Sequence, residues 1–276
     1  MKRTFVLLIL FFAIVLTSHT RADEILVSAA ASLTDAFNDI GRVYSAANPK
    51  TIVRFNFGAS GALQQQILQG APVDVFASAS PKEMDSLQRA NRIEPATRAD
   101  FAANRLVLIA PPNSRLKSWD DLRAAFVHRI ALSNPDSVPS GRYAQETLTK
   151  RGLWNVVKPK AIFGENVRQT LTYVTGGNVD AGIVFATDQR AEARRARIVD
   201  IAIPGKDHAP IVYPAAVTAR APNPIAARKF ADFLRSPTAQ AVFARYGFLA
   251  VLPTPRPPQN PPSRKGNPKI PKTGKR

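Results

Sequence analysis

Five short stretches of this chain put a hydroxyl or amide side chain at the start of a helix, directly after an apolar run. They are Ala31-Ser32-Leu33-Thr34-Asp35, Gly58-Ala59-Ser60-Gly61-Ala62, the loop from Asn134-Pro135 to Ser140-Gly141, Gly164-Glu165-Asn166-Val167-Arg168-Gln169, and Ala186-Thr187-Asp188. A helix start directs unpaired N–H groups and a partial positive charge outward. In an open α/β sheet such starts collect at the carboxyl edge of the strands, where ligands bind. Singly, Ser32 with Asp35, Ser140, Asn166 with Gln169, and Thr187 each suit an ordinary cap. Together, in two successive series with little Lys or Arg in the loops, they suit a small anion held by neutral donors.

Ser60 also opens a second possibility. A nucleophile elbow reads Gly-x-Ser-x-Gly between strand and helix, and Gly58-Ala59-Ser60-Gly61-Ala62 departs from it only at the last glycine. His208 lies downstream, with Asp180, Asp188 or Asp200 to orient it, so a Ser60-dependent hydrolase stands as a lesser alternative. No second signature accompanies it.

Composition narrows the field. The 276 residues include no Cys and three His, which removes disulfides, thiol nucleophiles and thiolate metal sites. His19 falls in a leader, leaving His128 and His208 far apart, so neither a zinc enzyme nor a resident cofactor is expected. The net charge of +18 is concentrated at the ends: residues 1–22 hold three basic residues and 251–276 hold seven, with no acid in either. The body carries no basic run interleaved with aromatics, so no nucleic-acid partner is expected.

The elements that must position these loops alternate. Strand-like runs at 25–30, 51–57 and 73–77 are followed by helical spacing at 33–47, 62–68 and 81–90. A second series begins at 105–110. It continues with strands at 129–133, 159–163 and 180–185 and helices near 119–126, 141–151, 166–175 and 187–196. Strands at 198–203 and 211–218 and helices at 226–234 and 237–246 complete the body. The alternation predicts an α/β protein whose sheets are mostly parallel, in two lobes rather than one.

The ends are different material. Lys2-Arg3, the apolar Phe5–Leu16 and Thr20-Arg21-Ala22 read as a cleavable signal peptide over 1–22, too short in its apolar core to span a membrane. No Cys follows it to carry a lipid. Residues 251–276 hold eight Pro and seven basic residues with three aliphatics, a composition expected to remain disordered.

Several stretches resemble, in order from about residue 24 to 249, the periplasmic molybdate-binding proteins of ABC importers. They are Ala29-Ala30-Ala31-Ser32-Leu33-Thr34, Phe57-Gly58-Ala59-Ser60-Gly61-Ala62-Leu63, Gly70-Ala71-Pro72-Val73-Asp74-Val75-Phe76, and Val138-Pro139-Ser140-Gly141-Arg142-Tyr143-Ala144 after Asn134-Pro135. Glu165-Asn166-Val167-Arg168, Gly182-Ile183-Val184-Phe185 and Arg245-Tyr246-Gly247-Phe248 continue the series. The resemblance implies a two-lobed type II periplasmic-binding fold joined by two hinge strands, with lobe 1 at 23–103 plus 206–250 and lobe 2 at 104–205.

The resemblance further implies a periplasmic monomer that clamps molybdate or tungstate between its lobes and passes it to an inner-membrane permease. Ser32 and Ser60 would donate from the first lobe, and Ser140 and the Val167 N–H from the second. Phe185 stands where the family usually has a tyrosine, which removes one phenolic donor at a cost of about 1.5–3 kcal/mol. Either the Ser140 hydroxyl replaces it or the site has turned to another oxyanion or a small organic acid. Arg142 and Arg168 beside the loops would add a longer-range field for anions, or else serve ordinary ion pairs.

Overall fold

The structure, a computed structural model, describes residues 23–251. The leader at 1–22 and the tail from 252 onward lie outside the described residues.

The first series builds β1 (Asp23–Ala30), α1 (Thr34–Ala47), β2 (Thr51–Gly58), α2 (Ser60–Leu68), β3 (Val75–Ala77), α3 (Pro81–Arg89) and β4 (Ala99–Asn104). The second gives β5 (Leu106–Ala110), β6 (Ile130–Ser133), α4 (Pro139–Lys150), α5 (Trp154–Val157) and β7 (Ala161–Gly164). It ends with α6 (Val167–Thr175), β8 (Ala181–Phe185), α7 (Ala186–Ala191) and β9 (Arg197–Ile201). The chain then returns as β10 (Ile211–Val217), α8 (Pro224–Phe233) and α9 (Pro237–Arg245).

Two five-stranded sheets result, ordered β2-β1-β3-β10-β4 and β7-β6-β8-β5-β9. β1 runs parallel to β2 and β3, and β6 parallel to β7 and β8. β10 is antiparallel to β3 and β4, and β5 is antiparallel to β8 and β9. Each sheet thus has four strands in one direction and one against them. The odd strand is the one that follows a crossing between sheets. A chain leaving the carboxyl edge of one sheet enters the other at its facing edge, and so must run away from it.

Amphipathic spacing explains the packing. α1 buries Ala36, Phe37, Ile40 and Tyr44 on one face. The Phe37 ring lies 5.7 Å from Phe55, 5.8 Å from Phe101, 6.4 Å from Phe230 and 6.1 Å from Phe243, so it ties α1 to β2, β4, α8 and α9. On the other side, Leu63, Ile67, Met84 and Leu87 from α2 and α3 pack with Phe76. In the second lobe all of β5 is buried, as expected of a central strand with both faces covered.

Two expected helices differ. The helix expected at 119–126 is a single 3₁₀ turn, Asp120–Arg123, because the Asp121 carboxylate accepts from the N–H groups of Lys117 and Ser118 and bends the chain there. The helix expected at 187–196 ends at Ala191, and Gln189 Nε2 donates to the Ala196 carbonyl at 2.7 Å to tie down the turn that follows. α5 is an added helix, whereas β4 is the crossover strand expected near 100–105. It pairs with both β10 and the chain near Leu249.

The chain crosses between sheets at Asn104–Leu106 and again over 202–210. The second crossing is a built turn. Gly205 sits at φ +82°, its N–H donates to the His208 carbonyl at 2.7 Å, and buried Asp207 pairs with Arg151 at 2.6 Å. Truncating the central ring tests the core. Phe37→Ala should cost about 3–5 kcal/mol in denaturant unfolding, whereas Ile225→Ala, on a side chain 69% exposed, should stay within about 0.5 kcal/mol.

Candidate functional site

The ends of β1, β2, β6, β7 and β8 meet between the lobes. Ala31, Ser32, Ala59, Ser60 and Ala79 face Pro139, Ser140, Asn166, Val167 and Phe185 across a narrow cleft. All five residues singled out as ligand contacts, Ser32, Ser60, Ser140, Val167 and Phe185, line it, and no charged side chain does. The space open to the centre of a water-sized sphere is ≈ 10 Å³, about what one water needs, so in this arrangement the lobes close tightly on each other.

The hydroxyls do not cap their helices. Ser32 lies inside the 3₁₀ turn Ala31–Leu33, Ser60 is the first residue of α2, and Ser140 follows Pro139 in α4. Thr187 likewise makes no capping bond. Only Asn166, of the expected caps, acts as one, accepting from the N–H groups of Arg168 and Gln169 at 3.0 Å each. Ser32, Ser60 and Ser140 sit one or two positions further along and bond elsewhere. In a first turn, the backbone N–H groups of Ser60, Ser140 and Val167 have no partner four residues back.

The direction of each hydroxyl matters. Ser60 Oγ accepts the Ala79 N–H at 3.1 Å, so its own hydrogen is left to donate into the cleft. Ser140 is the reverse. Its Oγ donates to Ser133 Oγ at 2.8 Å, Ser133 lies 2.9 Å from Thr170 Oγ1, and Thr170 donates to the Asn166 carbonyl at 3.1 Å. A carbonyl only accepts, so every hydrogen in that chain points inward. The expectation that the Ser140 hydroxyl replaces a missing phenol is therefore corrected: Ser140 offers its N–H. Phe185, 1% exposed, packs 6.4 Å from Tyr143 and 5.9 Å from Tyr213 and brings no hydroxyl.

Two glycines allow the close approach. The Gly61 N–H donates across the lobes to the Ser137 carbonyl at 3.0 Å, and a Cβ there would lie 2.5 Å from that oxygen. A Cβ at Gly141 would lie 2.2 Å from the Ser133 carbonyl, so only glycine lets α4 start so close to the end of β6.

Arg142 and Arg168 do not present free charge to the cleft. Arg142 pairs with Glu83 of the other lobe at 2.5 Å and donates to Ser80 at 3.0 Å; Glu83 is 2% exposed. Arg168 bridges Asp35 of the other lobe at 2.7 Å and Asp188 of its own lobe at 2.8 Å. Each cation is matched by carboxylates, so these arginines act as clasps between lobes rather than as a field for anions.

The hydrolase alternative finds no assembled triad. His208 Nδ1 lies 2.6 Å from the Ala209 carbonyl, and no hydrogen bond joins His208 to Ser60 among the described residues. Asp180 accepts from the N–H groups of His128 and Arg129, Asp200 from Ile201, and Asp188 is held by Arg168. Sequence reasoning missed two polar groups behind the cleft, Asn104 and Tyr213. Both sit in strands that carry no loop motif, and only the fold brings them to Ser32.

Burial pushes the Asp188 carboxyl up to about 6 from an ordinary 3.8, outweighing the neighbouring Arg168. The folded state therefore holds a proton that the unfolded chain releases, and this residue's contribution falls as pH rises from about 4 to about 6. Unfolding free energies measured across that range should lose this slope in Asp188→Asn, a difference on the order of 2 kcal/mol.

Comparison with known proteins places the family and the fold. The family model described as bacterial extracellular solute-binding protein matches residues 25–249. A Bacillus subtilis protein, YvgL, named as a candidate ABC transporter substrate-binding lipoprotein, is 40% identical over 236 residues, 85% of this chain and 89% of its own. The molybdate-binding protein ModA of Haemophilus influenzae is 35% identical over 238 residues, 84% and 92% of the two chains. The periplasmic molybdate-binding protein of Azotobacter vinelandii shares the fold, with a TM-score of 0.72 at 24% identity, over 83% of this chain and all of its own. The chain belongs to the bacterial extracellular solute-binding protein family, as a ModA-like member with the type II periplasmic-binding fold.

Proposed function

We propose that this protein captures a tetrahedral oxyanion, molybdate or tungstate, between its lobes and delivers it to an ABC importer. The observation that carries the reading is the cleft: four donor-bearing positions, Ser32, Ser60, Ser140 and Val167, line a small space from both lobes with no charged side chain. Ser60 turns a hydrogen toward it because its acceptor side is filled from behind. Helix starts add N–H groups and partial positive charge. A dianion is matched by such donors without a counter-cation. A singly protonated anion would leave its own O–H without an acceptor, which disfavours it. The relatives named as molybdate-binding support the ligand.

The anion is cargo on this reading, with no resident cofactor and no catalysis. Lobe 1 (23–103 plus 206–250) and lobe 2 (104–205) would separate about the two crossings to admit it. The bound anion would then favour the closed arrangement together with the Gly61–Ser137 bond and the two arginine clasps. The leader at 1–22 would export the chain to the periplasm, where a monomer docks on the permease. A second reading keeps the fold with a different oxyanion, and Phe185 favours it, since loss of one donor weakens dianion binding about 10- to 150-fold.

Thermal unfolding of the chain from Asp23 onward separates the two readings. At about a thousand times Kd, the anion adds about 4.1 kcal/mol, or roughly 8–16 °C for a chain of this size. A shift with molybdate and tungstate, but not with sulfate, phosphate or chromate, is expected; a shift with another of these alone would replace the named ligand. Closure is tested by Gly61→Ala. Its methyl must displace the Ser137 carbonyl, so titration calorimetry should show affinity falling about tenfold or more, with the ligand-free melting temperature nearly unchanged.

A further inference from the structure

Ser32 is the one cleft hydroxyl whose direction is set by a chain of polar groups reaching back to the crossing between lobes. Its Oγ lies 3.0 Å from the hydroxyl of Tyr213, a residue with no exposed surface. The Tyr213 oxygen also lies 3.1 Å from Nδ2 of Asn104, the last residue of β4. Asn104 Nδ2 in turn lies 2.9 Å from Thr187 Oγ1 at the start of α7, and Asn104 Oδ1 lies 2.9 Å from the N–H of Arg105.

The hydrogens in this chain can be placed one after another. A backbone N–H only donates, so the Asn104 oxygen must face Arg105 and its NH₂ must face the other way. The two amide hydrogens then go to Thr187 and Tyr213. The Tyr213 oxygen therefore accepts, and its own hydrogen is directed to Ser32, its other partner among the described residues. Ser32 Oγ accepts in turn, and its hydrogen is left for the cleft. Burial of Tyr213 and Asn104, the latter 3% exposed, removes the water that would let the chain reverse.

We infer that Asn104 and Tyr213 are positioning residues that lock Ser32 as a hydrogen donor, so that this hydroxyl accepts nothing from the ligand and favours a fully deprotonated oxyanion. The inference rests on the oxyanion reading above. It also assigns Tyr213 a part in recognition although the ring never lines the cleft. Asn104 stands at the first crossing and contacts β10 of one lobe and α7 of the other, so the lock is complete only with the lobes in this arrangement.

A double-mutant cycle with sodium molybdate, read by titration calorimetry on the chain from Asp23 onward, tests it. Tyr213→Phe keeps the ring and removes the hydroxyl. In the Ser32 background it should weaken molybdate about tenfold; in the Ser32→Ala background it should change affinity by less than twofold, because the group it directs is gone. Hydrogen phosphate should lose less than molybdate, because a freed Ser32 can accept. Equal losses from Tyr213→Phe in both backgrounds would mean a structural effect and overturn the inference while leaving the oxyanion reading intact.

If Tyr213→Phe does not fold, Asn104→Asp serves in the same cycle. A carboxylate accepts from Tyr213, reverses the chain and turns the Ser32 hydrogen away, while its added charge acts in both backgrounds and cancels. The Ser32-dependent part of the loss should again be about tenfold, and its absence would overturn the inference. Should wild-type protein ignore molybdate but bind another oxyanion, the cycle is run with that anion and only the ligand's name changes. Binding of no oxyanion at all would overturn both readings.

Discussion

A doubly charged anion in a cleft without cations needs every group around it to present a hydrogen. On the proposed function, the polar groups around this cleft can be understood from that demand. Hydroxyls are the difficult members, because each can donate or accept, and in water they do both. Here the choice is made one layer back. Ser60 is filled from behind by the N–H of Ala79, and Ser32 by the hydroxyl of Tyr213. Ser140 is drawn the other way by a chain that ends on the Asn166 carbonyl, and contributes its backbone instead. The two sheets bring helix starts from both lobes to one cleft.

Charge is handled at a distance from that point. Arg142 and Arg168 sit beside the cleft, and each reaches a carboxylate of the opposite lobe. An unpaired arginine inside the cleft would hold any anion, protonated or not. Paired outside it, the same residues hold the lobes together and leave recognition to neutral groups. The pairing has a physical cost, visible in Asp188: its carboxyl has no exposed surface and is raised despite Arg168 at 2.8 Å.

Much of this was legible in the residues alone, because loop chemistry is local. Gly58-Ala59-Ser60-Gly61 and Glu165-Asn166-Val167 announce a helix start by their own composition, and alternation of apolar runs announces the strands beneath them. Ser32, Ser60, Ser140, Val167 and Phe185 duly line one cleft. The direction of a hydroxyl is not local. Ser140 could be judged only after β6 and α6 were seen to bring Ser133 and Thr170 behind it. Tyr213 and Asn104 lie 181 and 72 positions from Ser32, and nothing in Ile211-Val212-Tyr213 marks its ring as anything but core. The short turn at Asp120–Arg123 escaped for a similar reason, since two side-chain bonds from Asp121 override an acceptable helical pattern.

The second crossing gives the molecule its mechanics. Asp207, in the middle of that connection, is tied to Arg151 and also accepts the N–H of Ile203 at 2.7 Å. His208 is packed against Tyr143 at 5.6 Å. These contacts tie residues 203–208 to α4 of the second lobe, although 206–208 fall within the range expected for the first. The proposed bending would then fall on the short step at Asn104–Leu106 and on the passage from Ala209 into β10. The two lie side by side, since Asn104 pairs with Ile211 at the start of β10. If the lobes part to admit a ligand as proposed, a hinge with one stiffened leaf would open along one path, and Gly61 and Ser137 would meet again in the same register.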